Sequence, residues 1–126
     1  MTFLIDNNLG PRLAHGMAEF GEDVKHLGDI LPGDSPDVQI LQFVGERGWI
    51  LITRDKRVRF NPAEKQAILQ FRVGTVFLGG KGLTACRIIQ QLVRSWPNVK
   101  RLSKSANRPF AFLVNAAGTS VKPLSL

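Results

Sequence analysis

The chain alternates short apolar runs with longer segments in which apolar residues recur at helical spacing. The apolar runs have the length of β-strands, and the amphipathic segments between them have the length of helices of about ten residues. This alternation favours an α/β fold with a mainly parallel central sheet flanked by helices, in one domain over residues 1–126. Strands are predicted at residues 3–5, 23–27, 49–53, 73–78 and 108–114, and helices at residues 12–20, 35–44, 62–71 and 84–96.

Capping residues and prolines predict where the helices begin and end. Ser35 precedes Pro36 and Asp37, which predicts a helix with Ser35 as its N-cap. Thr84 is the predicted N-cap of the longest helix, and Pro97 is expected to end that helix. Residues 54–59 are expected to form a basic loop, and residues from about 116 to 126 a loose tail. The residues that the longest helix is expected to bury are Ile88, Ile89, Leu92, Val93 and Trp96.

Two acidic residues follow apolar strands closely. Asp6 comes directly after residues 3–5, and Asp55 comes two positions after residues 49–53. Right-handed crossovers in a parallel sheet place the carboxyl ends of these strands at the same edge, so both carboxylates are expected there. Carboxylates that converge from different elements are typical of a Mg²⁺ site that also takes phosphate oxygens from a substrate. Asp6 and Asp55 are therefore predicted metal ligands.

Further polar residues are candidates for the same site, each with a structural alternative. Asp37 lies in the first turn of a predicted helix and could point to this edge, although the helix dipole also favours an acid there. The dipole equally accounts for Glu64 near the start of the following helix. Turn formation is the alternative for the polar residues in loops. The accessory candidates are Asn7, Asn8, Asp34 and Glu64.

Charge is divided unevenly along the chain, whose net charge is +7. Residues 1–49 hold three basic and eight acidic residues, a net charge of −5, whereas residues 50–126 hold fourteen basic and two acidic residues, a net charge of +12. A strongly basic half is typical of nucleic-acid binding, although a basic solvated surface has the same composition. The cations predicted to contact RNA phosphates are Arg12, Arg54, Lys56, Arg57 and Arg59.

Composition argues against several other classes of protein. The single cysteine, Cys86, allows neither an internal disulfide nor a zinc cluster. No apolar stretch reaches the roughly 18 residues of a membrane span, and no basic region precedes a long apolar run near Met1. The expected location is therefore the cytoplasm, without a membrane partner. The sequence Gly79-Gly-Lys-Gly82 lacks the spacing of a P-loop and is predicted to form a turn.

Four segments of the chain form an ordered set: Phe3-Leu-Ile-Asp-Asn-Asn-Leu-Gly-Pro-Arg-Leu-Ala14, Gly21-Glu-Asp-Val-Lys-His-Leu27, Ser35-Pro-Asp-Val-Gln-Ile-Leu41 and Gly48-Trp-Ile-Leu-Ile-Thr-Arg-Asp55. In this order they resemble PIN-like domains and in particular the VapC-type toxin-like proteins. The resemblance continues through Asn61-Pro-Ala-Glu64 and the helix that starts near Thr84, so it covers most of the chain.

The resemblance implies a metal-dependent endoribonuclease that hydrolyses RNA phosphodiester bonds with Mg²⁺ or Mn²⁺. It implies that Asp6, Asp37 and Asp55 are both the metal ligands and the catalytic residues. It further implies in-line attack by an activated water that leaves a 5′-phosphate. The partners that it implies are an RNA substrate, a cognate antitoxin protein and a second copy of the chain in a homodimer.

The sequence departs from the PIN-like pattern at two places. Asn7 stands where relatives often have a second acid, and Lys56, Arg57 and Val58 follow Asp55 where a fourth acid is common. Both departures make the site less negative. The alternative is therefore a non-catalytic PIN-like module that binds RNA or protein. A phosphoacceptor receiver domain is disfavoured, because it needs paired acids after the first strand and this chain has only Asp6 there.

Overall fold

The computed structural model describes all 126 residues and has six strands and five helices. A single 3₁₀ turn, Leu27–Asp29, follows the second strand. The strands are β1 (Phe3–Ile5), β2 (Val24–His26), β3 (Ile50–Thr53), β4 (Gly74–Leu78), β5 (Phe110–Val114) and β6 (Val121–Pro123). The helices are α1 (Pro11–Glu19), α2 (Asp37–Arg47), α3 (Lys56–Phe60), α4 (Pro62–Gln70) and α5 (Ala85–Ser105).

All six strands form one sheet in the order β2-β1-β3-β4-β5-β6. The first five are parallel, and β6 alone runs antiparallel, beside β5. Strand β1 lies between β2 and β3, with Phe3 in register with Val24 of β2 and with Ile50 of β3. The predicted α/β fold with a mainly parallel sheet is confirmed, and β1 and β3 end side by side.

Alternation along the central strands separates two hydrophobic cores. Phe3 and Ile5 face a core closed by α1 and α5. In this core the rings of Phe3 and Trp96 pack edge to face, with their centroids 4.7 Å apart. Leu4 and Leu51 face the opposite core, which α2, α3 and α4 close. Because every residue of β1, β3 and β4 is buried, these strands read as continuous apolar runs, as expected for parallel strands covered on both faces.

Two of the predicted boundaries near the acidic residues differ from the structure. Residues 54–59 are not a loop throughout, because α3 begins at Lys56 with the Asp55 side chain as its N-cap, accepting the Arg57 N–H at 2.9 Å. Ser35 is not the N-cap of α2, because its hydroxyl donates to the Pro32 carbonyl at 2.7 Å instead. Pro36 takes the N-cap position and Asp37 is the first helical residue.

The longest helix, α5, does not end at Pro97. Thr84 caps it as predicted, accepting the Arg87 N–H at 3.2 Å, but the helix runs 21 residues to Ser105 with Pro97 inside it. The proline lies on the exposed side, and buried residues on both sides of it, Trp96 and Val99, hold the helix on the sheet. Packing therefore outweighs the roughly 3 kcal/mol that proline costs inside a helix. None of the five helices is long and apolar enough to cross a membrane.

The exposure of two α5 residues and the end of the chain also differ from the prediction. Ile89 and Val93 were expected to be buried but are 45% and 57% exposed, because they lie toward the open side of the helix. The tail predicted from residue 116 contains β6, which pairs Val114 with Val121. This strand is short and only partly buried, so it depends on hydrogen bonds to β5 rather than on its own apolar pattern.

Candidate functional site

Asp6 is held at the carboxyl end of the sheet by the neighbouring strand. Its N–H donates to the Ile52 carbonyl at 3.0 Å, which continues the β1–β3 pairing by one residue. Its carboxylate accepts the buried Thr53 hydroxyl at 2.6 Å on one oxygen and the Asn7 N–H at 2.7 Å on the other. Asp6 is only 9% exposed, so an ionised side chain here needs these donors. Two fixed donors define the direction of the carboxylate.

Asp37 lies close enough to the other acidic side chains for their negative charges to affect its pKa. Burial at the start of α2 raises its pKa above the ordinary value, and Asp55, Glu64 and Asp6 raise that pKa further, while Arg57 lowers it. The four carboxylates come from four separate places in the chain, at the ends of β1 and β3 and the starts of α2 and α4. We call Asp6, Asp37, Asp55 and Glu64 the acid cluster.

Arg57 neutralises one member of the acid cluster. Its Nε and Nη2 donate to the two carboxylate oxygens of Asp55 at 3.2 and 2.9 Å, and its backbone N–H donates to the same carboxylate. These hydrogen bonds lower the pKa of Asp55 below its ordinary value. Asp55, Asp37 and Glu64 together raise the pKa of Arg57. The chain thus supplies a cation of its own to the cluster, at the position where a fourth acid is common in PIN-like domains.

Glu64 is the least satisfied member of the acid cluster. It is 9% exposed, and its Oε2 is fully enclosed without a hydrogen-bond partner. An enclosed carboxylate oxygen without a donor is costly, since folding removes its water and returns nothing. Glu64 therefore fits a role as a ligand of a cation, and the helix dipole accounts for its charge but not for its burial.

The chemistry of the acid cluster fits a hard divalent cation, although the side chains as placed do not enclose one. No three His, Cys, Asp or Glu side chains approach closely enough to form a complete metal site. Mg²⁺ needs only one or two carboxylates, because water and substrate oxygens complete its coordination. An oxygen-only donor set with one unsatisfied oxygen meets that requirement. Arg57 occupies both oxygens of Asp55, so it competes with an ion for this ligand.

Two residues beside the acid cluster hold its loops in place. Asn8, with its side-chain oxygen turned toward β3, accepts the backbone N–H of Asp55 at 2.8 Å and that of Arg54 at 3.2 Å. His26 is buried at the end of β2, where its Nδ1 accepts the Gly28 N–H at 3.0 Å. Its Nε2 therefore carries the proton and donates to the Leu9 carbonyl at 2.8 Å. Asn8 joins the loops after β1 and β3, and His26 fixes the loop after β1.

The remaining predicted site residues lie at different places. Asn7 is exposed and contributes its backbone N–H to Asp6. Asp34 is exposed in the turn before α2 and makes no hydrogen bond or ion pair with its carboxylate, so only turn formation accounts for it. Arg12 lies on α1 and lines an apolar cleft of about 400 Å³ between α1 and α5, apart from the other predicted RNA-binding cations.

Three of those cations do lie together. Arg54, Lys56 and Arg59 line a pocket of about 240 Å³ beside Asp55, at the carboxyl ends of β3 and β4. A basic pocket next to an acid cluster would neutralise a polyanion on one side while the acids hold a cation on the other. Asp55 belongs both to the acid cluster and to the lining of this pocket, so the pocket adjoins the cluster.

Sequence reasoning missed two residues of this site and the role of a third. Thr53 ends a buried strand, and only the β1–β3 register reveals that its hydroxyl reaches Asp6. No spacing in the sequence gives His26 a role, and only its burial beside the loop after β1 reveals its positioning role. The pairing of Arg57 with Asp55 follows from the turn into α3, which was not predicted.

Comparison with known proteins agrees with this geometry. The PIN like domain family matches residues 1–80, which include β1 to β4 and every member of the acid cluster. No curated protein and no solved structure matched the chain. PIN-like domains are generally nucleases, and they generally use divalent metals. On the match over most of its length, the chain belongs to the PIN-like domain family.

Proposed function

We propose that this chain is a divalent-metal-dependent endoribonuclease that hydrolyses RNA phosphodiester bonds. The observation that carries the proposal is that carboxylates from four elements lie near one sheet edge, where burial and then repulsion by Asp55, Glu64 and Asp6 raise the pKa of Asp37. Carboxyl groups with perturbed pKa values cluster at functional sites, and a bound cation would relieve this repulsion. A basic pocket adjoins them and suits an anionic substrate.

Asp6, Asp37, Asp55 and Glu64 are the residues that would hold Mg²⁺ or Mn²⁺. When bound, such an ion lowers the pKa of water and neutralises charge that develops on a phosphate. The Thr53 hydroxyl and the Asn7 N–H hold the Asp6 carboxylate in position by hydrogen bonds to its two oxygens. Arg54, Lys56 and Arg59 grip phosphates on the substrate side, which gives affinity without base recognition. Cleavage is expected to leave a 5′-phosphate.

The test is cleavage of a mixed RNA pool by the purified chain with Mn²⁺ or Mg²⁺. An EDTA arm and the Asp6→Asn variant are the negative controls, and His15→Ala is a matched surface variant away from the acid cluster. We expect cleavage that EDTA and Asp6→Asn abolish and that His15→Ala retains. Cleavage that survives Asp6→Asn would contradict the proposed site, and RNA bound without any cleavage would contradict the proposed reaction.

A second candidate function is a PIN-like module that binds RNA or a protein without cleaving. The bidentate Arg57–Asp55 pair favours it, because a cation of the chain then occupies the carboxylate that a metal would otherwise bind. Under this alternative, the wild type would show no detectable Mn²⁺ binding, and EDTA would leave its RNA binding unchanged. Metal-dependent cleavage by the wild type would exclude it.

We further propose that the nuclease acts in the cytoplasm as the toxin of a VapBC-like toxin–antitoxin pair, with a cognate antitoxin that covers the acid cluster. The resemblance of residues 3–14, 21–27, 35–41 and 48–55 to VapC-type proteins supports this role. Induced expression in a bacterial host is expected to arrest growth, and Asp6→Asn expression is not. Equal growth under both inductions would argue against the toxin role while leaving the nuclease proposal to the cleavage assay.

Relatives of VapC type also suggest a homodimer, and the amphipathic helix α5 is the proposed interface. Ile89 and Val93 are exposed on it beside Phe20, which is 90% exposed. Sedimentation of the wild type and of Val93→Glu tests this. A dimer that Val93→Glu dissociates is expected, and a wild type that stays monomeric at all concentrations would contradict it.

A further inference from the structure

The basic pocket beside the acid cluster has a second wall that the RNA-binding residues do not include. Lys81 and the two glycines before it, Gly79 and Gly80, line the same pocket as Arg54 and Arg59. The glycine-rich segment 79–82 connects β4 to α5 and was predicted to be a simple turn. Four cations therefore surround one concave space of about 240 Å³: Arg54, Lys56, Arg59 and Lys81.

Hydrogen-bond donors in this pocket are left without acceptors. Arg54 donates through Nη2 to the Gly80 carbonyl at 3.1 Å, while its Nη1 is fully enclosed and has no partner. The backbone N–H groups of Gly80 and Lys81 also donate to no protein acceptor. A buried charged donor without an acceptor carries a large desolvation cost, so the pocket favours an occupant that supplies acceptor oxygens.

The single acid on the pocket wall does not oppose an anion. Asp55 is paired on both oxygens with Arg57, which lies outside this set of lining residues. Cations without matching acids, together with free backbone N–H groups, are the donor set that binds phosphate oxygens in proteins. Gly80, which also lines the pocket, adopts a left-handed φ of +97°, a backbone conformation that favours glycine.

We propose that Lys81, the Gly79–Gly80 backbone, Arg54 and Arg59 form a phosphate subsite that holds one phosphate group of the RNA beside the scissile bond. This inference rests on the proposed ribonuclease function and deepens it, because it identifies which part of the substrate the pocket takes. The two sources of that phosphate are an internal phosphodiester and a terminal 5′-phosphate. The same donors suit both, and the arms of the experiment separate them.

The experiment measures binding without cleavage. A 3′-labelled single-stranded RNA of about eight nucleotides is titrated in EDTA by fluorescence anisotropy, in 5′-hydroxyl and 5′-phosphate forms. The variants are Lys81→Ala and Lys81→Gln at an exposed position, and Arg59→Ala at a second residue that lines the pocket. Lys104→Ala, an exposed lysine near the end of α5 that does not line the pocket, is the matched control.

We expect Lys81→Ala, Lys81→Gln and Arg59→Ala each to weaken binding roughly threefold to tenfold, with Lys104→Ala close to wild type. The slope of the logarithm of the binding constant against the logarithm of the salt concentration should become shallower by roughly 0.7. This is the change expected when a protein loses one phosphate contact to a single strand. Equal losses for both RNA forms assign the site to an internal phosphodiester, and losses for the 5′-phosphate form alone assign it to the RNA end. Variants that bind both forms as well as wild type would overturn the subsite.

The result is independent of the reaction assay. If the wild type does not cleave RNA but Lys81→Ala still binds RNA more weakly, the phosphate subsite is supported and the proposed ribonuclease activity is contradicted. Metal-dependent cleavage that Lys81→Ala and Arg59→Ala leave unchanged in rate and affinity keeps the ribonuclease and removes the subsite.

Discussion

The guanidinium of Arg57 forms a bidentate ion pair with the carboxylate of Asp55, two residues earlier in the chain, at 2.9 and 3.2 Å. The side chain of Asp55 also caps α3, so the turn into this helix brings the two charges together. Asp55 thus serves the fold and the acid cluster at the same time. Three predictions depend on this pair.

Arg57→Ala should raise the pKa of both Asp55 and Asp37. Hydrogen bonds from Arg57 are the main reason that the pKa of Asp55 is low, and the charge of Arg57 also lowers the pKa of Asp37. Titration of the carboxyl carbons by NMR measures both values. Arg59→Ala is the control, because Arg59 lies in the same helix and is not among the causes of either shift.

The Arg57–Asp55 pair also determines whether the fold gains or loses stability as the pH falls. The folded-state pKa of Asp55 lies below the ordinary 3.8, so its ionisation stabilises the fold above that pH, and the contribution is lost as pH falls through the folded value. The difference in unfolding free energy between wild type and Arg57→Ala should therefore be largest near pH 7 and shrink below about pH 4. A difference that grows on acidification would contradict this account.

Arg57→Ala should also bind Mn²⁺ more tightly than the wild type, by roughly tenfold, because loss of a positive charge beside the ion favours binding by about 1.4 kcal/mol. The ion and the guanidinium compete for the oxygens of Asp55, and removal of the guanidinium leaves the ion without a competitor. Isothermal titration calorimetry gives the affinity, with Arg59→Ala again as the control. Weaker binding by Arg57→Ala would mean that Arg57 instead holds Asp55 in the orientation that the ion requires.

Glu64→Gln should reduce the stabilisation that Mn²⁺ gives to the fold. A metal that binds only the folded chain stabilises it by about 2.7 kcal/mol at a concentration of 100 times its Kd. If the enclosed Oε2 of Glu64 is a ligand, the isosteric amide lowers this gain. Without metal, Glu64→Gln should be no less stable than wild type, because it relieves repulsion with Asp37. Thermal unfolding with and without Mn²⁺ tests both statements, and an unchanged Mn²⁺ response would exclude Glu64 as a ligand.

His26→Phe should destabilise the fold by about 1–3 kcal/mol, since it leaves the Leu9 carbonyl and the Gly28 N–H without their partner. His15→Ala is the comparison. His15 pairs with Asp29 at 2.6 Å on the surface, and its loss should change the free energy of unfolding by less than about 1 kcal/mol. Urea unfolding measures both variants. Equal effects would contradict a positioning role for His26.

Two glycines in helices should respond oppositely to alanine. A Cβ on Gly45 in α2 would overlap the carbonyl of Phe71, so Gly45→Ala should cost roughly 1–3 kcal/mol as α2 and α4 separate. A Cβ on Gly16 in α1 meets no atom within 4 Å, so Gly16→Ala should stabilise by about 0.5–1 kcal/mol. Urea unfolding of both variants measures the difference, and changes of the same sign would contradict the packing described here.

The fold and the positions of Asp6 and Asp55 could be predicted because buried parallel strands leave a continuous apolar signal and their ends meet by topology. The hydrogen bond between the side chains of Thr53 and Asp6 could not be predicted, because the two residues are 47 positions apart and their contact depends on the strand register. The prediction that Pro97 ends α5 was wrong, because its exposed position and buried neighbours are properties of the packed helix and not of the local sequence. The metal role of the acid cluster stays a prediction.

The two outer strands of the sheet carry a consequence for assembly. Edge strand β2 has three residues with Lys25 exposed at its centre, and edge strand β6 has three with Lys122 and Pro123 exposed. Short edges with lysine and proline resist pairing with a strand from another molecule. Self-association by extending the sheet is therefore disfavoured at both ends, and two copies that meet in solution are expected to join through helices.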